Sequence, residues 1–390
     1  MSNITLFSQI VSKLSRQNFS KLVKEHQTDK HAKGYNSWTH LVAMLFCQFA
    51  KSQSVRDISN GLRSATGNLN HLGINRAPSK SSVSYQNKHR DWKLFRAYYY
   101  QLLGSLGQQA GFKQVKFKIK SKIFLLDSST ISLCLSLFDW AKYKTAKGAI
   151  KMHTLLDYDS NLPAYVNITD GKTADNKGAY DVPLLKGSVI VADRFYNDFS
   201  LLNIWDSNGV YFVVRHKENI QYTIVKENEL PANKHQHILK DEIIELKNKT
   251  SKDKYPKRLR RVVIWDDVNK QVIEIITNQM TWTANTIGEL YKSRWQIEIF
   301  FREIKQLLHI KSFIGTSENA VMIQIWTALI TILIFKAMRA MAKYKWHLSN
   351  LVSFIRLNLF VKIDLQLWLD KPFEPEKENN HLNIVQGVLF

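Results

Sequence analysis

Through the first hundred residues, apolar side chains recur three and four apart, as in LFSQIVSKL (residues 6–14) and LVAMLFCQF (residues 41–49). That is the period of helices with one buried stripe. Ser54 followed three residues later by Asp57 is a capping pattern and predicts a helix ending near Ala65. From about residue 115 the period changes. VKFKI alternates, KIFLLD and GSVIVAD are short apolar runs, and AIKMHTLLDYDSNLPAYVNITDG predicts two strands joined by a turn at residues 160–163. Strands that are apolar on both faces call for helices above and below a mixed sheet. Between residues 209 and 278 more strand-like segments follow (VYFVVRH, IQYTIV, RVVIW, VIEIIT), interrupted by the polar stretch KNKTSKDKYPKRLRR. The helical period returns at residues 283–311, and the most apolar run, residues 321–335, carries Gln324 and two threonines. At 15 residues it falls short of the roughly 18–20 that a bilayer needs, so it predicts a buried helix and no membrane partner. Residues 372–380 suggest a loose tail.

At 390 residues the chain is long enough for two or three modules. The pattern divides it into a helical domain (1–106), an α/β core in two parts (107–204 and 283–345), a β-rich insertion (205–282) and a C-terminal helical region with its tail (346–390). Lys and Arg number 55 against 33 acids, a net charge of +22 spread along the whole length. A folded polyanion binder fits this distribution better than a basic tail does, the alternative being an otherwise ordinary basic enzyme. Two cysteines, Cys47 and Cys134, are too few for a disulfide framework or a cysteine zinc site. They fit a reducing cytoplasm, and the polar, amphipathic opening residues suggest no signal peptide.

The stretch from residue 79, SKSSVSYQNKHRDWKLFR, is small, polar and basic first and aromatic afterwards. It reads as a recognition helix presenting Lys80, Lys88 and Arg90 to a groove, with Trp92 and Phe95 as its anchors, or else as a solvated surface helix. Lys257 and Arg258 in the basic run 254–261 are either a second backbone contact or a solvated loop. His235 and His237 lack the spacing of a zinc site.

Two apolar runs end at an aspartate, Asp127 and Asp193. Functional groups in α/β sheets collect at the carboxyl ends of strands, although Asp157, Asp159, Asp170 and Asp175 compete from turn-like contexts. The stretch YKSRWQIEIFFREIK (residues 291–305) supplies a partner. At about 100° per residue, Tyr291, Arg294, Glu298 and Lys305 fall on one face, with Ile297, Phe300, Phe301, Ile304, Leu307 and Leu308 on the opposite arc. Glu298 is then the one carboxylate on a basic stripe. Arg294 and Glu298 alone are also an ordinary i,i+4 pair. Three converging carboxylates repel, on the order of 4 kcal/mol for a pair about 4 Å apart at an effective dielectric of about 20, and so require a cation. Oxygen ligands select Mg²⁺ or Mn²⁺, and two such ions suit displacement at phosphorus. Arg294 and Lys305 would hold flanking phosphates, which points to phosphodiester chemistry on a nucleic acid.

The pattern Y-x2-R-x3-E-x6-K, with RW-x-IE-x-FF around it and Asp193-Arg194-Phe195-Tyr196 upstream, resembles the DDE transposases of bacterial insertion sequences, in particular the insertion-sequence-four branch. The resemblance covers roughly residues 115–315. It implies a ribonuclease H-like α/β core with a β-rich insertion between the second aspartate and the glutamate, and an N-terminal module that binds transposon ends. It implies a triad of Asp127, Asp193 and Glu298 holding two Mg²⁺ or Mn²⁺ ions, with Tyr291, Arg294, Lys305 and Arg194 on the DNA. It further implies double-stranded DNA partners (terminal inverted repeats and target), a homodimer on paired ends, and cut-and-paste strand transfer in a bacterial cytoplasm at the nucleoid. Related enzymes proceed through a DNA hairpin and hold a flipped base on an insertion-domain tryptophan, for which Trp265 and Trp282 are the candidates. A catalytically silent DNA-binding regulator and a ribonuclease H-like nuclease are the alternatives.

Overall fold

The structure is a computed structural model describing residues 3–65, 67–106, 117, 119–133, 138, 140, 142–144, 147–230, 237–310 and 312–374. The helices in chain order are α1 (Leu6–Ser12), α2 (Arg16–Glu25), α3 (Ser37–Ala50), α4 (Val55–Ser64), α5 (Lys80–His89), α6 (Lys93–Leu106) and α7 (Asp175–Ala179). They continue with α8 (Phe199–Ser207), α9 (Lys249–Lys254), α10 (Ala284–Ser293), α11 (Trp295–Leu307), α12 (Glu318–Met341), α13 (Leu348–Leu357) and α14 (Leu365–Asp370). The strands are β1 (Ile123–Leu133), β2 (Lys142–Lys144), β3 (Lys147–Asp157), β4 (Leu162–Asp170) and β5 (Val189–Ala192). After them come β6 (Tyr211–Arg215), β7 (Tyr222–Glu227), β8 (Ile238–Leu246), β9 (Leu259–Asp266) and β10 (Gln271–Thr277). Of the strand expected at residues 115–119 only Phe117 and Ile119 are described; the tail beyond residue 374, Cys134 and His235 lie outside the described residues.

Two compact units form, residues 1–86 with 334–390 and residues 87–333. In the first, the N-terminal helices and the helical segment after residue 334 share one core. The amides of Leu6 and Phe7 donate to the carbonyls of Val361 and Leu359, and Phe7 packs its ring on Phe46 and Phe49. Helix α3 is buried nearly throughout, as its apolar run requires. The predicted cap on α4 is present: Ser54 accepts from the Asp57 amide, while Asp57 reaches back to the amide of Gln53 instead of that of Ser54.

In the second unit ten strands join in one sheet. Its heart runs β4, β3, β1, β5, β6, with β4–β3 and β3–β1 antiparallel and β1–β5 and β5–β6 parallel. Three antiparallel strands followed by two parallel ones is the ribonuclease H-like order. Strand β6 lies in the stretch expected as insertion, yet it belongs to this heart. Beyond it β10, β9, β8 and β7 continue antiparallel, so the added strands extend the core sheet without forming a separate body.

Both faces of the central strands are buried. Phe124, Leu126, Ile190, Ala192, Phe212 and Val214 pack with Leu202 and Trp205 of α8. Leu125, Val191 and Val213 turn the other way, toward α10 and α11. The apolar arc read from the sequence faces inward: Ile297, Phe300, Phe301, Ile304 and Leu308 are buried and Leu307 is half-buried. Helix α12 is long and apolar enough to cross a membrane, but 94% of its apolar window is buried inside the protein. The stretch from residue 79 is two helices, α5 and α6, broken at residues 90–92. Of its expected anchors, Phe95 is buried and Trp92 stacks on Trp326 at 6.4 Å.

Candidate active site

Parallel pairing of β1 with β5 ends at Leu126 opposite Ala192, so the next residues, Asp127 and Asp193, leave adjacent strands side by side. The expectation that the first strand stops at its aspartate is corrected. Strand β1 runs on to Leu133 because β3 keeps pairing with it, with Asp127 opposite Thr154 and Leu133 opposite Gly148. Only the parallel partner stops. Strict alternation then sends Leu125 and Asp127 toward α11, and Leu126 and Ser128 toward the opposite face.

The helical period expected over residues 283–311 is split at Arg294, which caps α10 and opens into α11. From that joint the guanidinium reaches both sides, 2.8 Å from Glu298 Oε1 and 3.9 Å from Asp127 Oδ2. The structure thus gathers Asp127, Asp193, Arg294 and Glu298. Burial pushes the Asp127 carboxyl from the usual 3.8 up to about 7; the Ser128 amide and Arg294 pull it down, and the charges of Asp193 and Glu298 push it further up. Asp193 is raised too, first by burial, against the Phe195 amide and Arg294 and with a further push from Asp175. One guanidinium therefore does not neutralise the site, and oxygen-only, negatively charged groups at a cleft suit a divalent cation. Among the described residues no three His, Cys, Asp or Glu side chains yet converge on one point. Glu298 is turned to Arg294, so it joins the aspartates only by exchanging that guanidinium for another cation.

A cleft of about 400 Å³ opens beside these groups, lined by Asp127, Ser128, Glu298, Arg302, Lys305 and Gln306 among others. Lys305 Nζ donates to the Thr130 carbonyl at 3.0 Å on its wall. Arg302 was missed in the sequence reading, although it lies eleven residues from Tyr291, which at about 100° per residue returns to the same stripe.

The residues expected on the DNA differ widely in exposure and in their partners. Tyr291 is buried, with its ring 5.8 Å from the Arg294 guanidinium. Arg90 is 3% exposed. In the basic run, Lys257 lies 2.7 Å from Asp206 and Arg258 2.8 Å from Glu245, while Arg260 and Arg261 are buried against Asp241 and Glu242. Most of that charge is matched by carboxylates of its own fold. Lys80 and Lys88 are exposed on α5, and Arg194 is half-exposed over the Phe195 ring. Trp265 donates to Asp267 and Trp282 rests on Tyr211; both are half-buried. His237 pairs with Asp267 at 2.8 Å, in keeping with a loop histidine. Of the competing aspartates, Asp157 pairs with Lys122 and Asp170 closes a turn, but Asp175 stands close to the triad.

The family model described as "Transposase DDE domain" matches residues 118–334, and one described as a domain of unknown function matches residues 2–75. The chain is 29% identical over 256 residues to a putative transposase, y4zB, of Sinorhizobium fredii, covering 65% of this chain and 70% of that one. It is also 29% identical over 233 residues to a probable transposase for insertion sequence element IS5377 of Geobacillus stearothermophilus, covering 60% and 61%. A solved piggyBac transposase synaptic complex with hairpin DNA aligns at a TM-score of 0.44 and 9% identity, over 91% of this chain and 78% of that one. With a family match over more than half of its length, the chain belongs to the DDE transposases.

Proposed function

We propose that this chain is an insertion-sequence transposase of the insertion-sequence-four branch, and that Asp127, Asp193 and Glu298 together hold two Mg²⁺ or Mn²⁺ ions. The observation that carries the reading is the register: Asp127 and Asp193 emerge from neighbouring parallel strands, and Arg294 links Asp127 to Glu298. Such ions, when bound, supply activation of the attacking oxygen and stabilisation of the leaving one. The chain's own groups do the rest. Partial burial of Asp127 beneath α11 lowers the local dielectric and strengthens its attraction to a cation. Arg294, freed from Glu298, turns its two-pronged donor set to a phosphate, while Tyr291 holds its stem in place. Lys305 and Arg302, on the cleft wall, grip the flanking backbone as point charge and fork. The substrate is double-stranded DNA at terminal inverted repeats; water first frees a 3′-hydroxyl, which then attacks the target. Pairing of two ends implies a homodimer on DNA. Lys80, Lys88 and Arg194 add backbone contacts.

Purified protein with a DNA fragment bearing the element's end and Mg²⁺ is expected to leave 3′-hydroxyl nicks, and Asp193→Asn to leave none. Undiminished nicking by that variant removes the assignment. Affinity for DNA is expected to fall with a log–log salt slope of about −3 or steeper, since each neutralised phosphate contributes about −0.9. A flat salt response would contradict phosphate-dominated binding.

A further inference from the structure

Behind the triad, on the face of β1 opposite α11, a second polar set has no part in the roles above. Ser128 and His153 are register partners on β1 and β3. The Ser128 hydroxyl donates to Asp175 Oδ1 at 2.5 Å, and the same oxygen takes the Lys151 ammonium at 2.9 Å. Lys151 is itself tied to the Thr173 carbonyl at 2.8 Å. Ser128 faces both ways: its backbone amide donates to Asp127 Oδ1 at 2.7 Å, leaving Oδ2 toward Arg294. A continuous path therefore runs from Asp175 through the Ser128 hydroxyl and amide to one oxygen of Asp127. Lys151 offsets part of the charge of Asp175, so the fourth carboxylate adds rigidity without adding its full charge to the cation site. The buried Tyr196 packs against the same place, beside Asp127, Asp175 and Asp193.

We infer that Asp175 is a positioning residue which, through Ser128, sets the direction of the Asp127 carboxylate toward the divalent cations. This rests on the triad reading above. Partners of this kind, one bond removed from a ligand, typically change metal affinity about 10- to 100-fold when removed.

The test is a DNA-free titration with Mn²⁺, read by loss of the free-ion electron paramagnetic resonance signal. It uses the full chain and variants shown by circular dichroism to be folded. Asp175→Ala and Ser128→Ala are each expected to raise the half-saturating Mn²⁺ concentration about tenfold or more. The double variant is expected to be no worse than either single one, because both remove the same link. Asp175→Asn, whose amide oxygen still accepts from Ser128, is expected to recover part of the loss. In nicking assays the same variants should need more Mn²⁺ but reach a plateau rate within a few-fold of the parent. Should Asp175→Ala prove unstable, Ser128→Ala alone carries the test. Wild-type Mn²⁺ affinity in both single variants, with Asp193→Asn impaired, overturns the positioning role and leaves the triad standing. Loss in Asp175→Ala with none in Ser128→Ala makes Asp175 an ion ligand in its own right and also overturns it. Unchanged binding in Asp193→Asn removes the triad reading and this inference together.

Discussion

Asp127→Asn is expected to give a protein that is inactive yet more stable than the parent in metal-free buffer at pH 8. The carboxyl of Asp127 is buried among other acids, and its folded value of about 7 lies well above the ordinary 3.8. A raised value means that the folded state holds this proton more tightly than the unfolded state. Stability is therefore greatest below about pH 4, declines as pH rises through the interval between 3.8 and about 7, and carries the full penalty above it. At about 1.4 kcal/mol per unit the interval from 3.8 to about 7 sets an upper figure of about 4.5 kcal/mol, lowered to roughly 3–4 kcal/mol because the carboxylate keeps some contact with solvent. Asparagine is neutral at every pH, and its amide oxygen still accepts from the Ser128 amide. The gain in melting temperature should thus be large at pH 8, shrink toward pH 5 and vanish near pH 4. Nicking should fall by about a thousandfold or more, since several kcal/mol of transition-state charge stabilisation pass through this ligand. Paired thermal melts across pH and a nicking time course decide it. A variant no more stable than the parent at pH 8 means that Asp127 is not held under charge strain.

That strain was only half visible in the sequence. The two aspartates announced themselves because each follows a run of apolar residues too short for anything but a buried strand, and Glu298 because one helix face collects Tyr291, Arg294 and Lys305. What the runs could not say is that β1 continues for six residues past Asp127, since the pairing that extends it comes from β3, more than a dozen residues downstream. Asp175 was visible only as one of four aspartates in turn-like settings. Its closeness to Ser128 depends on how the segment after β4 returns across the sheet, which no local period encodes. The basic run at 254–261 stayed ambiguous for the same reason. Period and charge sign read as a cationic loop, while the carboxylates that answer it sit thirteen to fifty-one residues earlier in sequence, on β8 and α8. Tyr291 shows the converse: a helical wheel gives its direction but not the depth of the sheet beneath it.

The pairing within that run leads to the second large effect. Asp241→Ala is expected to lower stability by about 3–5 kcal/mol, the cost of leaving a buried arginine without its counter-charge. Arg260 meets Asp241 through two parallel bonds, Nε to Oδ1 at 2.8 Å and a terminal nitrogen to Oδ2 at 2.6 Å, and both residues are buried. For a folding unit of about 150–250 residues this corresponds to a fall in melting temperature of roughly 10 °C. Lys257→Ala removes the exposed member of the pair with Asp206, whose carboxylate keeps Asn278 and Tyr255 as partners, and is the control, expected to cost under about 1 kcal/mol. Replacing both buried partners by Leu and Met should not restore the parent fully. The remaining nitrogen of Arg260 also donates to the carbonyls of Met280 and Trp282, at 3.3 and 2.5 Å, on the segment that enters α10. That entry sets where α10 begins, and α10 runs directly into the joint at Arg294. A double variant that recovers stability but not the Mn²⁺ response would show that Arg260 serves the placement of Arg294 and Glu298 as well as the sheet. A cost below 1 kcal/mol for Asp241→Ala would mean instead that water reaches this pair and that the added strands are held by their apolar faces alone.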